Sequence, residues 1–296
     1  MVKKRKIHFI INSRLKNAIA QLTEQLQNSS YWTKEFDYFL RETQYKSHAL
    51  ELTQKAIEEG TSGIVACGGD GTINEIVGFL VETKIPLGII PLGSGNSIAR
   101  HFKIPLNIEG ALKIIEIQNS INVNVGSVND FIFLSNMGVS FDANFIDSYQ
   151  NIPSRGFYTY LKALFLALIQ HKTQDFSLFY QGVKREVSPF LLMVVNSNQF
   201  GYDFSISPKS IINDGKFELV LFKKKSFRAL LNLLLASRFD LKLSEKLLEI
   251  IPITELKIKN VSQDFLIQLD GEINQISSEE LSIKVHPNGV NVWVPA

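Results

Sequence analysis

The chain has 296 residues, 45% hydrophobic and 20% charged, enough material for one large domain or two of ordinary size with real cores, and two are expected. A net charge of +2 from 31 basic and 29 acidic residues provides no field for nucleic acid, and none is expected as a partner. One cysteine, Cys67, excludes an intramolecular disulfide framework and a cysteine-based zinc site, which fits a reducing, cytoplasmic compartment.

The start, "MVKKRKIHFIIN", is basic, but its apolar run Ile7 to Ile11 is too short for a signal-peptide core and reads as a first strand. Residues 6–118 then alternate between apolar runs and segments of helical period. Strands are predicted over 6–12, 35–42, 62–67 and 85–90, and helices over 14–28, 46–59, 72–82, 96–102 and 108–118. Such alternation predicts a parallel sheet covered by helices, with ligands gathering at the carboxyl ends of its strands.

From about residue 121 the period changes to two. Turn dipeptides Asn129-Asp130, Gln181-Gly182 and Asn288-Gly289 predict antiparallel hairpins. The expected organisation is an α/β domain over 1–120 and a β-rich domain over 121–296, with the last strand free to return to the first domain.

Within the first domain the stretch "ACGGDGTINEIVGFL" joins a strand to a helix whose Ile73, Ile76, Val77 and Leu80 share one face. Gly68, Gly69 and Gly71 would expose successive backbone N–H groups at the helix start, where an anion such as phosphate is favoured. A tight turn with no ligand is the plainer alternative. Asp70 favours the phosphate, because an acid there would repel its guest unless a divalent cation sat between them. Thr72 and Glu75 have the spacing of a capping box, so Glu75 is read as structural.

The stretch "IIPLGSGNSIAR" repeats the design with Gly93, Ser94 and Gly95, followed by Asn96 or Ser97 as helix cap. Two such loops on neighbouring strands would grip a polyphosphate from two sides. Neither has the spacing of a P-loop or a dinucleotide fingerprint, and protein-kinase motifs are absent.

The segments "CGGDGTINEIVGFL", "LGIIPLGSGNSIARHFKIP", "FLSNMGVSFDANF", "INDGKFELVLF" and "LDGEIN", in this order and spacing, make almost the whole chain resemble the diacylglycerol kinase catalytic-domain family, bacterial lipid kinases related to sphingosine kinases. The first loop alone is less specific, since NAD kinases and phosphofructokinases carry a similar one. The resemblance implies a three-layer α/β nucleotide-binding domain of NAD kinase and diacylglycerol kinase type followed by a β-sandwich domain. It also implies transfer of the γ-phosphoryl group of ATP, with Mg2+, to a lipid hydroxyl such as that of diacylglycerol or a sphingoid-type alcohol.

The family match places nucleotide over residues 68–74, including Thr72 and Asn74, with Asn12, Thr43, Gly93, Ser94, Gly95 and Asn96 as further nucleotide positions. Asp214 matches an aspartate that holds a second Mg2+ together with backbone carbonyls, here those of Phe217 and Leu219; a plain turn before a strand is the alternative. Glu272 matches the proton acceptor of bacterial members, with Asp70 the competing candidate and a type I' hairpin at Asp270-Gly271 the structural alternative. Two departures stand out: relatives often have Asn-Pro-x-Ser-Gly where this chain has Asn12-Ser13-Arg14-Leu15, and Asn-Asp where it has Asn96-Ser97.

Two apolar stretches, "FYTYLKALFLALIQ" (157–170) and "FRALLNLLLASRF" (227–239), fall short of the roughly 18–20 residues that span a bilayer. Burial between protein layers competes with an acyl-chain or membrane-surface role, and peripheral contact at the inner face of the membrane is expected. A homodimer is left open. Two further functions compete with the lipid kinase: a soluble-metabolite kinase of NAD kinase type, and a non-catalytic protein that binds nucleotide or lipid.

Overall fold

A computed structural model describes residues 4–153, 157–198, 206–223, 232, 235, 244, 246–260 and 264–296. The apolar stretch expected as a helix over 227–239 lies outside the described residues apart from two positions. The chain divides into two compact units, Met1–Val123 with Asn288–Ala296, and Asn124–Pro287.

The first unit follows the alternation in the sequence: β1 (Arg5–Asn12), α1 (Lys16–Asn28), α2 (Ser30–Glu35), β2 (Phe36–Thr43), α3 (His48–Glu58), β3 (Gly63–Gly68), α4 (Asp70–Leu80), β4 (Leu87–Pro91), α5 (Ser97–His101) and α6 (Ile108–Ile117). The strands lie in the order β2-β1-β3-β4 with every pair parallel, and Val292 near the chain's end adds a further parallel partner beside Leu87. Every residue of β3 and β4 is buried, as a sheet covered on both faces requires. α3 packs on α4, and α1 on α2 and α6. The helix α2 has no counterpart in the sequence reading. At six residues it is too short to show a period; Ser29 caps it by accepting from the Trp32 N–H at 3.4 Å, and the Trp32 ring is fully buried.

The second unit contains β5 (Ser120–Val128), which starts within the first, then β6 (Phe131–Phe133), β7 (Asn136–Ser140), α7 (Phe141–Gln150), α8 (Phe157–Gln170), β8 (Phe176–Tyr180), β9 (Val183–Val187) and β10 (Leu191–Val195). It continues with β11 (Phe217–Phe222), β12 (Leu248–Ile253), β13 (Glu255–Asn260), β14 (Asp264–Leu269), β15 (Glu272–Ser277) and β16 (Leu281–Trp293), whose last residues belong to the first unit. A six-stranded antiparallel sheet, β12-β11-β10-β7-β14-β15, faces β16-β13-β8-β9 and the β5–β6 hairpin across a core that includes Phe133, Phe217, Leu219, Phe176 and Ile258. The other face of the six-stranded sheet is covered by α7 and α8 through Phe141, Phe145, Leu164 and Leu168 against Met193, Val195 and Phe222. This double cover is why "LLMVV" of β10 is apolar at every position rather than alternating.

The hairpins at Asn129-Asp130 and Gln181-Gly182 form as expected. Asn288 has φ 54°, as a turn residue would, yet β16 runs straight through it, so the expected hairpin there is absent. The dipeptide supplied a backbone preference; the pairing of Leu256 with Ile283 and of Leu87 with Val292 decided the path.

Candidate active site

In the first unit the carboxyl ends of four parallel strands carry the residues expected to meet nucleotide. Asn12 ends β1 and pairs with Thr43, the last residue of β2. The Asn12 side chain accepts from the Arg14 N–H at 3.1 Å and the Thr43 hydroxyl from the Ser13 N–H at 3.4 Å, so the turn after β1 is organised without the proline and glycine it lacks.

β3 ends at Gly68, and Gly69 is the N-cap of α4, which begins at Asp70. The Leu92 N–H donates to the Gly68 carbonyl at 2.8 Å, drawing the second glycine loop against the first. A Cβ on Gly93 would lie 2.6 Å from the Gly69 Cα, so the two loops touch through backbone where no side chain fits. Gly93 and Ser94 are exposed, while Asn96 is buried and spends its amide on the loop itself: Oδ1 accepts from the Gly93 N–H at 2.9 Å and Nδ2 donates to the Gly93 carbonyl at 2.8 Å.

Asp70 takes the capping role that the sequence suggested for Asn96 or Ser97. Its carboxylate accepts from the backbone N–H groups of Ser97 at 3.1 Å and Ile98 at 3.3 Å, the first turn of α5. Burial pushes its pKa up, and the hydrogen bonds from Ser97, Ile98 and its own N–H oppose that shift. Asn74 lies one turn further along α4, half-buried.

The expected capping box at Thr72 and Glu75 does not form in the expected place. α4 starts two residues earlier, which puts Thr72 inside its first turn, and Glu75 accepts instead from the Ser47 N–H at 3.1 Å, tying α4 to the loop after β2. Arg100 is a candidate the sequence reading missed. Its Nε donates to the Gly95 carbonyl at 3.1 Å, which brings a guanidinium beside the second glycine loop; a cation five residues after the last loop glycine was the available signal.

In the second unit Asp270 and Gly271, with φ 49° and 87°, turn β14 into β15, and Glu272 is the first residue of β15, half-buried. The Asp270 carboxylate accepts from the N–H groups of Leu134, Ser135 and Asn136 at 2.7, 2.7 and 3.0 Å. Asp270 therefore joins the hairpin to the segment entering β7, a role that sequence spacing did not reveal.

Asp214 is exposed and accepts from the Lys216 N–H at 2.9 Å; the Asn124 side chain fixes the same turn by accepting from the Gly215 N–H at 3.2 Å. Phe217 and Leu219 follow on β11, paired with Ile253 and Ile251. Nearby Glu218, half-buried, has its pKa raised by burial and, more weakly, by the charge of Asp214, while the Ser210 hydroxyl opposes the shift. An all-oxygen set beside two mutually repelling carboxylates suits a hard cation such as Mg2+. Among the described residues no three His, Cys, Asp or Glu side chains gather as a metal site, so such a cation would rely on the carbonyls.

Comparison with known proteins identifies the family and the fold. Residues 6–137 match the model of the diacylglycerol kinase catalytic domain, and residues 137–294 that of the YegS C-terminal NAD kinase β-sandwich-like domain. A diacylglycerol kinase from Staphylococcus aureus (strain JH9) is 29% identical over 255 residues, 82% of this chain and 77% of the relative. The fold is shared with a crystal structure of a diacylglycerol kinase from Bacillus anthracis (strain Sterne), with a TM-score of 0.76 at 19% identity over 100% of this chain and 98% of the other. It is shared more distantly with yeast NADH kinase complexed with NADH, with a TM-score of 0.57 at 13% identity over 100% and 85%. Together the two family models cover residues 6–294, and the chain belongs to the diacylglycerol kinase family of lipid kinases.

Proposed function

We propose that the protein transfers the γ-phosphoryl group of ATP to the hydroxyl of a lipid such as diacylglycerol or a sphingoid-type alcohol. The observation that carries this reading is the backbone contact of Gly69 with Gly93, which joins two glycine loops at adjacent strand ends beside the start of α4. Exposed backbone N–H groups and a helix start suit the phosphates, with Gly71, Thr72, Asn74, Ser94 and Gly95 lining them and Asn12 and Thr43 at the neighbouring strand ends. Arg100 adds positive charge behind Gly95.

Mg2+ bound with ATP would neutralise phosphate charge, with Asp70 facing it, and a second Mg2+ would be held by Asp214 and the Phe217 and Leu219 carbonyls. Glu272 is assigned as the base that takes the proton from the lipid hydroxyl. Asp70 is the weaker candidate for that role, because both its oxygens already accept backbone N–H groups from α5.

The lipid is reached by peripheral contact at the inner membrane face. Tyr158, Phe165 and Ile169, 88%, 53% and 61% exposed, form one stripe of α8 with exposed Lys162 among them. Among the described residues no helix is long and apolar enough to cross a membrane. Incubation with ATP, Mg2+ and a total lipid extract, followed by mass spectrometry, tests the reading: a phosphorylated lipid supports it, whereas a phosphorylated soluble nucleotide would favour a kinase of NAD kinase type.

A further inference from the structure

One buried acid is used by nothing described above. Asp142 is the second residue of α7, and its Oδ2 is buried with no hydrogen-bond partner. Two features of the backbone make room for it. Gly138 lies against it, and a Cβ there would sit 2.1 Å from Oδ2. Ser140 launches α7 with φ 83° and ψ −125°, a conformation costly for any residue but glycine, which surrounding structure must over-determine. Ser140 is held by pairing with Leu191 and by its Oγ, 3.4 Å from both the Phe190 carbonyl and His171 Nε2.

The other side of Asp142 leads to the Glu272 hairpin. Gly138, against which its carboxyl lies, pairs with Gln268 across the sheet, so the Gln268 side chain, 2% exposed, shares that face with Asp142. The Gln268 amide donates from Nε2 to Asn136 Oδ1 at 2.7 Å and accepts at Oε1 from the Gly271 N–H at 2.8 Å. The Gly271 N–H fixes which way the amide points, because the flipped amide would set donor against donor. Nε2 then has two hydrogens, one given to Asn136 and the second available to the Asp142 carboxyl on the same face. Burial pushes the Asp142 pKa up to about 7, the Gln268 hydrogen bond opposing it.

We propose that Asp142 is a positioning residue of the transfer reaction, acting through the Gln268 amide to hold the Asp270-Gly271 turn and hence the backbone of Glu272. Without Asp142 one Nε2 hydrogen is left buried and unpaired, which releases the amide and with it the Gly271 N–H. The inference rests on the assignment of Glu272 as base, but its structural half can be measured without any activity.

Hydrogen exchange of the Gly271 N–H is expected to accelerate about tenfold or more in Asp142→Leu and to stay near wild type in Asp142→Asn, whose amide oxygen still accepts from Gln268. With diacylglycerol in mixed micelles, Asp142→Leu should lower kcat by about 10- to 100-fold at an unchanged KM for ATP, with Asp142→Asn restoring most of it. Gln268→Met, of nearly the same size, should reproduce the loss and carries the test if Asp142→Leu does not fold. The double variant should lose no more than the worse single one, as one shared network requires. Unchanged exchange at Gly271 in Asp142→Leu and Gln268→Met, or losses in kcat that multiply, would overturn the inference. A wild-type chain that transfers no phosphate to lipid would instead overturn the function proposed above, and the exchange result would still decide whether Asp142 holds the hairpin.

Discussion

The carboxylate of Asp70 accepts the backbone N–H of Ser97 at 3.1 Å, so the acid of the first glycine loop caps the helix that follows the second. One side chain thereby fixes the relation of the two loops and faces the place proposed for phosphate. Asp70→Ala is expected to abolish transfer and to lower stability by about 1 kcal/mol, the ordinary cost of a lost helix cap. Thermal denaturation beside an activity assay checks both effects; lost activity at unchanged stability would mean the cap contributes nothing.

The contact between Gly69 and Gly93 makes a second prediction. A methyl group at 93 would lie 2.6 Å from the Gly69 Cα and 2.9 Å from Asn96 Oδ1, so the loops must part. Gly93→Ala should weaken ATP binding by about tenfold or more, equivalent to about 1.4 kcal/mol, in isothermal titration calorimetry. Wild-type affinity in that variant would separate the loop contact from nucleotide binding.

Much of the first unit was legible because its signals are local. Apolar runs gave β3 and β4, and Ile73, Ile76, Val77 and Leu80 gave the buried face of α4. What escaped depends on partners distant in sequence. Glu75 matches a capping box by spacing, but Ser47, 28 residues away, supplies its donor. Asp270 looks like a turn residue, and only the fold brings it the N–H groups of Leu134 to Asn136, about half a chain earlier. The unpartnered Oδ2 of Asp142 has no sequence signature at all. For α8 the sequence showed apolar residues all round; the structure splits them into Ala163, Leu164, Ala167 and Leu168 on the core and an exposed stripe opposite.

The buried Asp142 carboxyl predicts how stability depends on pH. Its pKa is raised from 3.8 to about 7, so between those values the native chain holds a proton that the unfolded chain has released. Stability from this group is therefore greatest at low pH, falls as pH rises from about 4 to about 7, and falls no further above that. Asp142→Asn carries no such proton. Its melting temperature relative to wild type should rise between about pH 4 and about pH 7 and level off above that, and a difference that stays flat would mean that the carboxyl titrates normally.

The exposed stripe of α8 predicts membrane contact that depends on both apolar area and charge. Replacing Phe165 and Ile169 together by serine should weaken co-sedimentation with vesicles rich in phosphatidylglycerol, and added salt should weaken it further through Lys162. Activity on short-chain, dispersed diacylglycerol should be little changed. Unaltered vesicle binding would place the contact elsewhere on the molecule.

The most direct measurement follows the terminal phosphate of labelled ATP in the presence of Mg2+ and diacylglycerol micelles. Label is expected in the organic phase with the wild-type chain, and Glu272→Gln should slow its appearance by roughly 100- to 10,000-fold while still binding ATP. Label that stays on ATP or moves only to a water-soluble product would contradict transfer to a lipid hydroxyl, and full activity in Glu272→Gln would remove that residue as the base.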